Sequence, residues 1–193
     1  MIDLAPTTER TSAVVAAVRD DQLDAITPMD QPVRVVVHHL IGLAQAFCDA
    51  AGKQTGPSVS TPPSPQDGPL PEGWRDEVQQ RLREMADAWG SSEAWSGMTM
   101  AGGVELPGEI CGLVALDEVL LHGWDVARTT GQDYQPTDAE CEAVMPVVTP
   151  APESPDGAGR DGLFGTVVPV PDDAPAFDRV LGLAGRDPAW TGG

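Results

Sequence analysis

The 193-residue sequence predicts an all-α fold: a four-helix bundle with long, proline-stiffened connections and a C-terminal extension packed on its side. Three observations carry that prediction. Apolar residues recur at helical spacing in four long stretches. Of the 19 prolines, 13 fall in two segments, 54–71 and 146–175, and proline breaks a helix interior because it lacks the N–H and clashes with the preceding turn. Finally, one long stretch is apolar almost all the way round, which suits a helix buried in the middle of a bundle.

The first helix is expected over 7–18, with Val14, Val15 and Val18 on one side. The second, 33–50, starts after Pro32 and carries Leu40, Leu43 and Phe47 at helical spacing. The third, 73–89, sets Trp74, Val78, Leu82, Met85 and Trp89 among charged neighbours, an amphipathic surface helix. The fourth, 107–130, is the all-round apolar one. A fifth, over 137–145, opens with a Thr-Asp-Ala-Glu capping pattern, and 174–183 forms a last short helix. Residues 166–170 are left as a short strand or extended chain beside Pro169. The whole is read as one domain over 1–193, with the bundle core in 1–150 and the extension in 151–193.

Composition excludes several classes of function. Thirty Asp plus Glu against 11 Lys plus Arg give a net charge of −19, so the phosphate backbone of nucleic acid and anionic membrane surfaces both repel the chain. The one cluster of cations, Arg75, Arg81 and Arg83, is interleaved with Asp76, Glu77 and Glu84. No apolar run approaches the roughly 18 residues of a membrane span. The three cysteines, Cys48, Cys111 and Cys141, are odd in number, and no signal-peptide pattern opens the chain. Together these lead to the expectation of a reduced, cytoplasmic protein, monomer or homodimer.

Chemistry concentrates on the fourth helix. Its only ionisable residues between 112 and 127 are Asp117, Glu118, His122 and Asp125. Glu118 and His122 are i and i+4 and share one face. A lone buried carboxylate costs several kcal/mol and is kept only if paired, protonated or metal-bound. Asp125, at i+3 from His122, is placed to orient that ligand or to help bind substrate, while Ala115 and Cys111 leave room for a cavity. Asp117 points about 100° away and is read as a bundle salt bridge to an Arg. Two His and a carboxylate suit Zn²⁺, Ni²⁺ or Fe²⁺ with open positions. On the second helix His39 shares the stripe of Val36, Leu40, Leu43, Ala46 and Phe47, whereas His38 shares its face with Arg34, Gln45 and Asp49. His39 is therefore assigned to the interior and His38 to the rim. The competing readings are a solvated Glu–His pair, Cys111 as a small core residue, and Trp89 and Trp124 as core or pocket-wall aromatics.

At these residues the chain resembles actinobacterial members of the DinB-like superfamily. Thr27-Pro-Met-Asp-Gln-Pro-Val-Arg-Val-Val-Val-His-His-Leu-Ile-Gly42 is similar to a segment that reads approximately TPCxxWxVRxLxxHLxG, and Leu121-His-Gly-Trp-Asp-Val-Ala127 resembles the HGWDLA signature. The stretch 164–190, with Val-Pro-Asp-Asp-Ala-Pro and Gly-Arg-Asp-Pro-Ala-Trp, resembles the family's C-terminal part. The resemblance implies a metal-binding bundle of the kind found in mycothiol-dependent maleylpyruvate isomerase and the mycothiol and bacillithiol S-transferases. A His of the second helix and an E-x-x-x-H pair then map onto His39, Glu118 and His122, the residues that the helical faces select. Two departures stand near the start of the second helix: Met29 replaces the family Cys and Gln31 its Trp. The isomerase also carries a further C-terminal domain, for which 193 residues leave little room.

The expectation is a divalent-metal-dependent enzyme, with Zn²⁺ favoured over Ni²⁺ or Fe²⁺. A mycothiol-type thiol would serve as cosubstrate for S-transfer to, or thiol-assisted isomerisation of, a small electrophile. Asp125 and Arg128 are the candidate catalytic groups, Arg128 either meeting an acidic substrate or pairing with Asp117 or Asp125, and Trp124 is the candidate cofactor-binding wall. A metal-activated-water hydrolase and a non-catalytic metal- or ligand-binding bundle remain as alternatives.

Overall fold

The computed structural model describes residues 1–62, 66–152, 154–157 and 163–192; parts of both proline-rich segments therefore lie outside the described residues. Four long helices form the bundle: α1 (Ala5–Ala16), α2 (Val33–Ala51), α4 (Trp74–Trp89) and α6 (Gly108–Thr130). α1 and α2 each pack against both α4 and α6, so the four close a ring around a shared core. Short helices α3 (Pro57–Ser60) and α5 (Ser92–Trp95) sit in the connections. Outside the ring, α7 (Asp138–Val148) packs on α6, and α8 (Ala176–Leu183) packs on α7. No helix among the described residues is long and apolar enough to cross a membrane.

The helical pattern survives with shifted ends. α1 starts two residues early because Pro6 is tolerated in a first turn, where its missing N–H costs nothing. α7 runs three residues past Met145, with Pro146 in its last turn, where proline forfeits only one hydrogen bond. Its start is the capping box foreseen: Glu140 N donates to Thr137 Oγ1 at 3.2 Å, and Thr137 N donates to Glu140 Oε2 at 2.6 Å. Residues 166–170 form no strand, although Val168 N donates to Gly182 O at 2.9 Å. A small antiparallel hairpin, β1 (Met98–Ala101) and β2 (Val104–Pro107), was not foreseen. Its turn is Gly102-Gly103, with φ of +58° and +83°, the left-handed geometry of a two-residue hairpin.

The core is apolar, and the indoles and hydroxyls that tie its helices together are paired. Trp89 Nε1 donates to Phe47 O (3.0 Å) and Trp95 Nε1 to Trp89 O (2.7 Å), so both indoles are buried at no loss of a hydrogen bond. Thr11 Oγ1 donates to Val119 O (3.1 Å) and lies 2.9 Å from Tyr134 Oη, which ties α1 to α6. Gly123 faces this junction, and an added methyl would meet Tyr134 Oη at 2.5 Å and collide with the Thr11 hydroxyl. Gly123→Ala is therefore expected to destabilise the protein by about 1–3 kcal/mol, measured by urea unfolding; an unchanged midpoint would show that the α1–α6 junction yields freely.

Candidate metal centre

α6 is buried on nearly every side, and its ionisable residues are each handled differently. Glu118 projects towards α2, where His39 Nε2 lies 3.5 Å from Glu118 Oε2. His122, one turn along, places its own Nε2 3.2 Å from the same oxygen. The two imidazoles meet edge to face with centroids 4.9 Å apart, and one donor atom from each of the three residues lies within 4.8 Å of the others. Donors arranged tetrahedrally at 2.0–2.1 Å around a zinc ion stand about 3.3 Å apart, so the two measured separations fit a divalent cation. All three side chains are part-buried, Glu118 being 26% exposed, which leaves the group open to small molecules.

His122 is held from behind. Its Nδ1 is 3.1 Å from Asp125 Oδ2, which fixes the ring so that Nε2 faces Glu118. Asp125 is fully buried, and its charge is met by Arg186 of the extension, Nε on Oδ1 at 3.0 Å and Nη2 on Oδ2 at 2.9 Å. Arg186 itself is 3% exposed. This guanidinium was missed in the sequence, although a carboxylate destined for the middle of a bundle signals that some cation must follow it inside. The conjecture that Arg128 plays that part is corrected: Arg128 is exposed and its Nε donates to Trp190 O at 2.6 Å.

The other sequence candidates divide. His38 stays on the rim, its Nε2 3.2 Å from Gly68 O. Cys111 is buried, and burial, only partly offset by Lys53, pushes its thiol up to about 12, so it is inert. Trp124 is buried edge to face on Phe177 of α8, with centroids 6.5 Å apart, which makes it a clamp for the extension. Asp117 makes no salt bridge among the described residues, and its buried Oδ1 has no hydrogen-bond partner there. Burial, reinforced by Glu118, raises its carboxyl well above the usual range, and Arg186 acts on it only through space. Gln31 is exposed and Met29 half-buried in a turn, its N donating to Thr27 Oγ1 at 3.3 Å.

Residues 4–127 match the family model of the Mycothiol maleylpyruvate isomerase N-terminal domain. The chain belongs to that family. The match ends at Ala127, so α7, α8 and Arg186 lie beyond it. The fold is similar to crystal structures of the mycothiol-dependent maleylpyruvate isomerase and of a histidine-to-alanine mutant of it. Each superposes with a TM-score of 0.61 at 15% identity, covering 76% of this chain and 67% of the other. No curated protein matches the sequence.

Two outcomes follow from this geometry. Removing Arg186 strands a buried carboxylate, so Arg186→Met should cost roughly 3–5 kcal/mol in urea unfolding, whereas Arg128→Met on the surface should cost about 0.5–1 kcal/mol. Equal effects would contradict the buried pair. In protein stripped of divalent metal, burial disfavours a charged His122, but its hydrogen bonds to Asp125 and then Glu118 prevail and raise its pKa from 6.5 to about 9. A raised pKa stabilises fully below 6.5 and is lost as pH climbs through about 9. The melting temperature of the stripped protein should fall across that window, and Asp125→Asn should flatten the fall; a flat wild-type profile would exclude a charged His122.

Proposed function

We propose that the protein is a divalent-metal-dependent enzyme in which His39, Glu118 and His122 hold the cation. A low-molecular-weight thiol of the mycothiol type would be used for S-transfer to, or thiol-assisted isomerisation of, a small electrophile. The observation that carries this reading is the convergence of the three donors from α2 and α6, with His122 already oriented by Asp125. Membership of the isomerase N-terminal domain family points the same way. The donor set, two imidazoles and one carboxylate with no fourth protein ligand in the group among the described residues, is the pattern of catalytic zinc, whereas structural zinc is closed by four. A cation held there would favour the thiolate form of a thiol at neutral pH, the nucleophilic form.

The chain's own residues supply position. Asp125 keeps His122 in the tautomer that presents Nε2, and Arg186 keeps Asp125 ionised and aligned. His39 approaches from α2, so bundle packing alone brings it to the pair on α6. None of the three cysteines is placed to act as the nucleophile, since Cys111 and Cys141 are buried and burial raises the Cys48 thiol. A thiol used in the reaction would therefore come from outside the chain.

Purified protein should contain one equivalent of divalent metal by elemental analysis. His39→Ala and His122→Ala should abolish it, and His38→Ala should leave it intact. Thiol conjugation to a panel of electrophiles should require both metal and thiol. Turnover that persists without thiol would replace transfer by hydrolysis, and stoichiometric metal in His39→Ala would refute the ligand set.

A further inference from the structure

Along the N-terminal half of α6, directly beside Glu118, runs a cavity of about 330 Å³. Leu113, Val114, Asp117 and Glu118 of α6 line one side, Val147 of α7 another, and Phe164 of the extension a third. Its volume suits a small molecule. The wall is otherwise apolar, and among the described residues that line it two are carboxylates and none is a cation. Among the described residues, Arg186 is committed to Asp125 and Arg128 to Trp190 O. The chain as a whole carries −19. An acid such as maleylpyruvate would have to shed water from its carboxylates beside Glu118 and the buried Asp117 with no cationic partner among the described residues of the wall, which is unfavourable. Asp117 supplies the second observation. It is 2% exposed and lines the cavity, yet its Oδ1 has no hydrogen-bond partner among the described residues. A donor on a bound ligand would satisfy that oxygen.

We propose that this cavity is the substrate pocket, and that it takes a neutral electrophile with an apolar body and one N–H or O–H donor that meets Asp117, not a carboxylic acid. The proposal rests on the metal and thiol reading in calling the ligand a substrate; the binding itself does not.

The test uses the zinc-loaded full chain without thiol and three probes on one skeleton: cinnamamide, N,N-dimethylcinnamamide and cinnamate. Calorimetric titration should show cinnamamide binding about tenfold or more tightly than cinnamate, with the dimethyl amide, which lacks the donor, between them. Val114 is only part-buried, so Val114→Trp should fold, fill the cavity and weaken cinnamamide about tenfold, while Val114→Arg should turn the preference towards cinnamate. In wild-type protein, cinnamamide should shift the backbone amide resonances of Val114, Val147 and Phe164, a readout that needs no variant. Cinnamate that shifts the same three resonances as strongly as cinnamamide, no binding by either, or shifts confined to other residues would overturn the pocket. Repeating the titration on metal-stripped protein separates the two ideas. Binding that survives there, alongside failed thiol-dependent turnover, would refute the metal and thiol reading and leave the pocket standing.

Discussion

The buried ion pair between Asp125 and Arg186 is the interaction on which the site depends. Both residues are almost wholly removed from solvent, so each charge is tolerable only because the other is there. The pair is bidentate, which sets the carboxylate plane and not merely its position. Through that plane Asp125 orients His122, and through His122 the orientation reaches Glu118 and His39. A cation 38 residues beyond the end of α7 thus governs a group on α6, because the extension folds back with Trp124 locked against Phe177.

The same constraint explains why α6 is organised as it is. A helix surrounded by apolar neighbours cannot leave carboxylates free, and the four ionisable residues between 112 and 127 meet that demand in three ways. Asp125 is paired with a guanidinium. Glu118 and His122 neutralise one another at a part-exposed edge, shared with His39. Asp117 has neither solution among the described residues, and burial pushes its carboxyl towards the neutral form. Such a residue costs stability, and it stands in the wall of the cavity beside Glu118.

Much of this was legible in the sequence for a physical reason: periodicity of 3.6 encodes burial locally. The choice of His39 over His38 needed only the stripe of Val36, Leu40 and Phe47 on α2, and the pairing of Glu118 with His122 needed only their spacing. The capping box of Thr137 and Glu140 is local in the same sense. The Gly102-Gly103 turn was equally local and equally readable, flanked by Met-Thr-Met-Ala and Val-Glu-Leu-Pro, but short strands with little alternation announce themselves weakly.

The sequence by itself determined the helical class, the helix that must be buried, and the three side chains that converge on one point, because each follows from which face of a helix is apolar. Tertiary structure alone decided that Arg186 and not Arg128 meets Asp125, that Trp124 clamps the extension, and that Asp117 lines a cavity with no partner among the described residues. Those are contacts between segments far apart in the chain, fixed by how the extension returns over α6, and no local pattern carries that information.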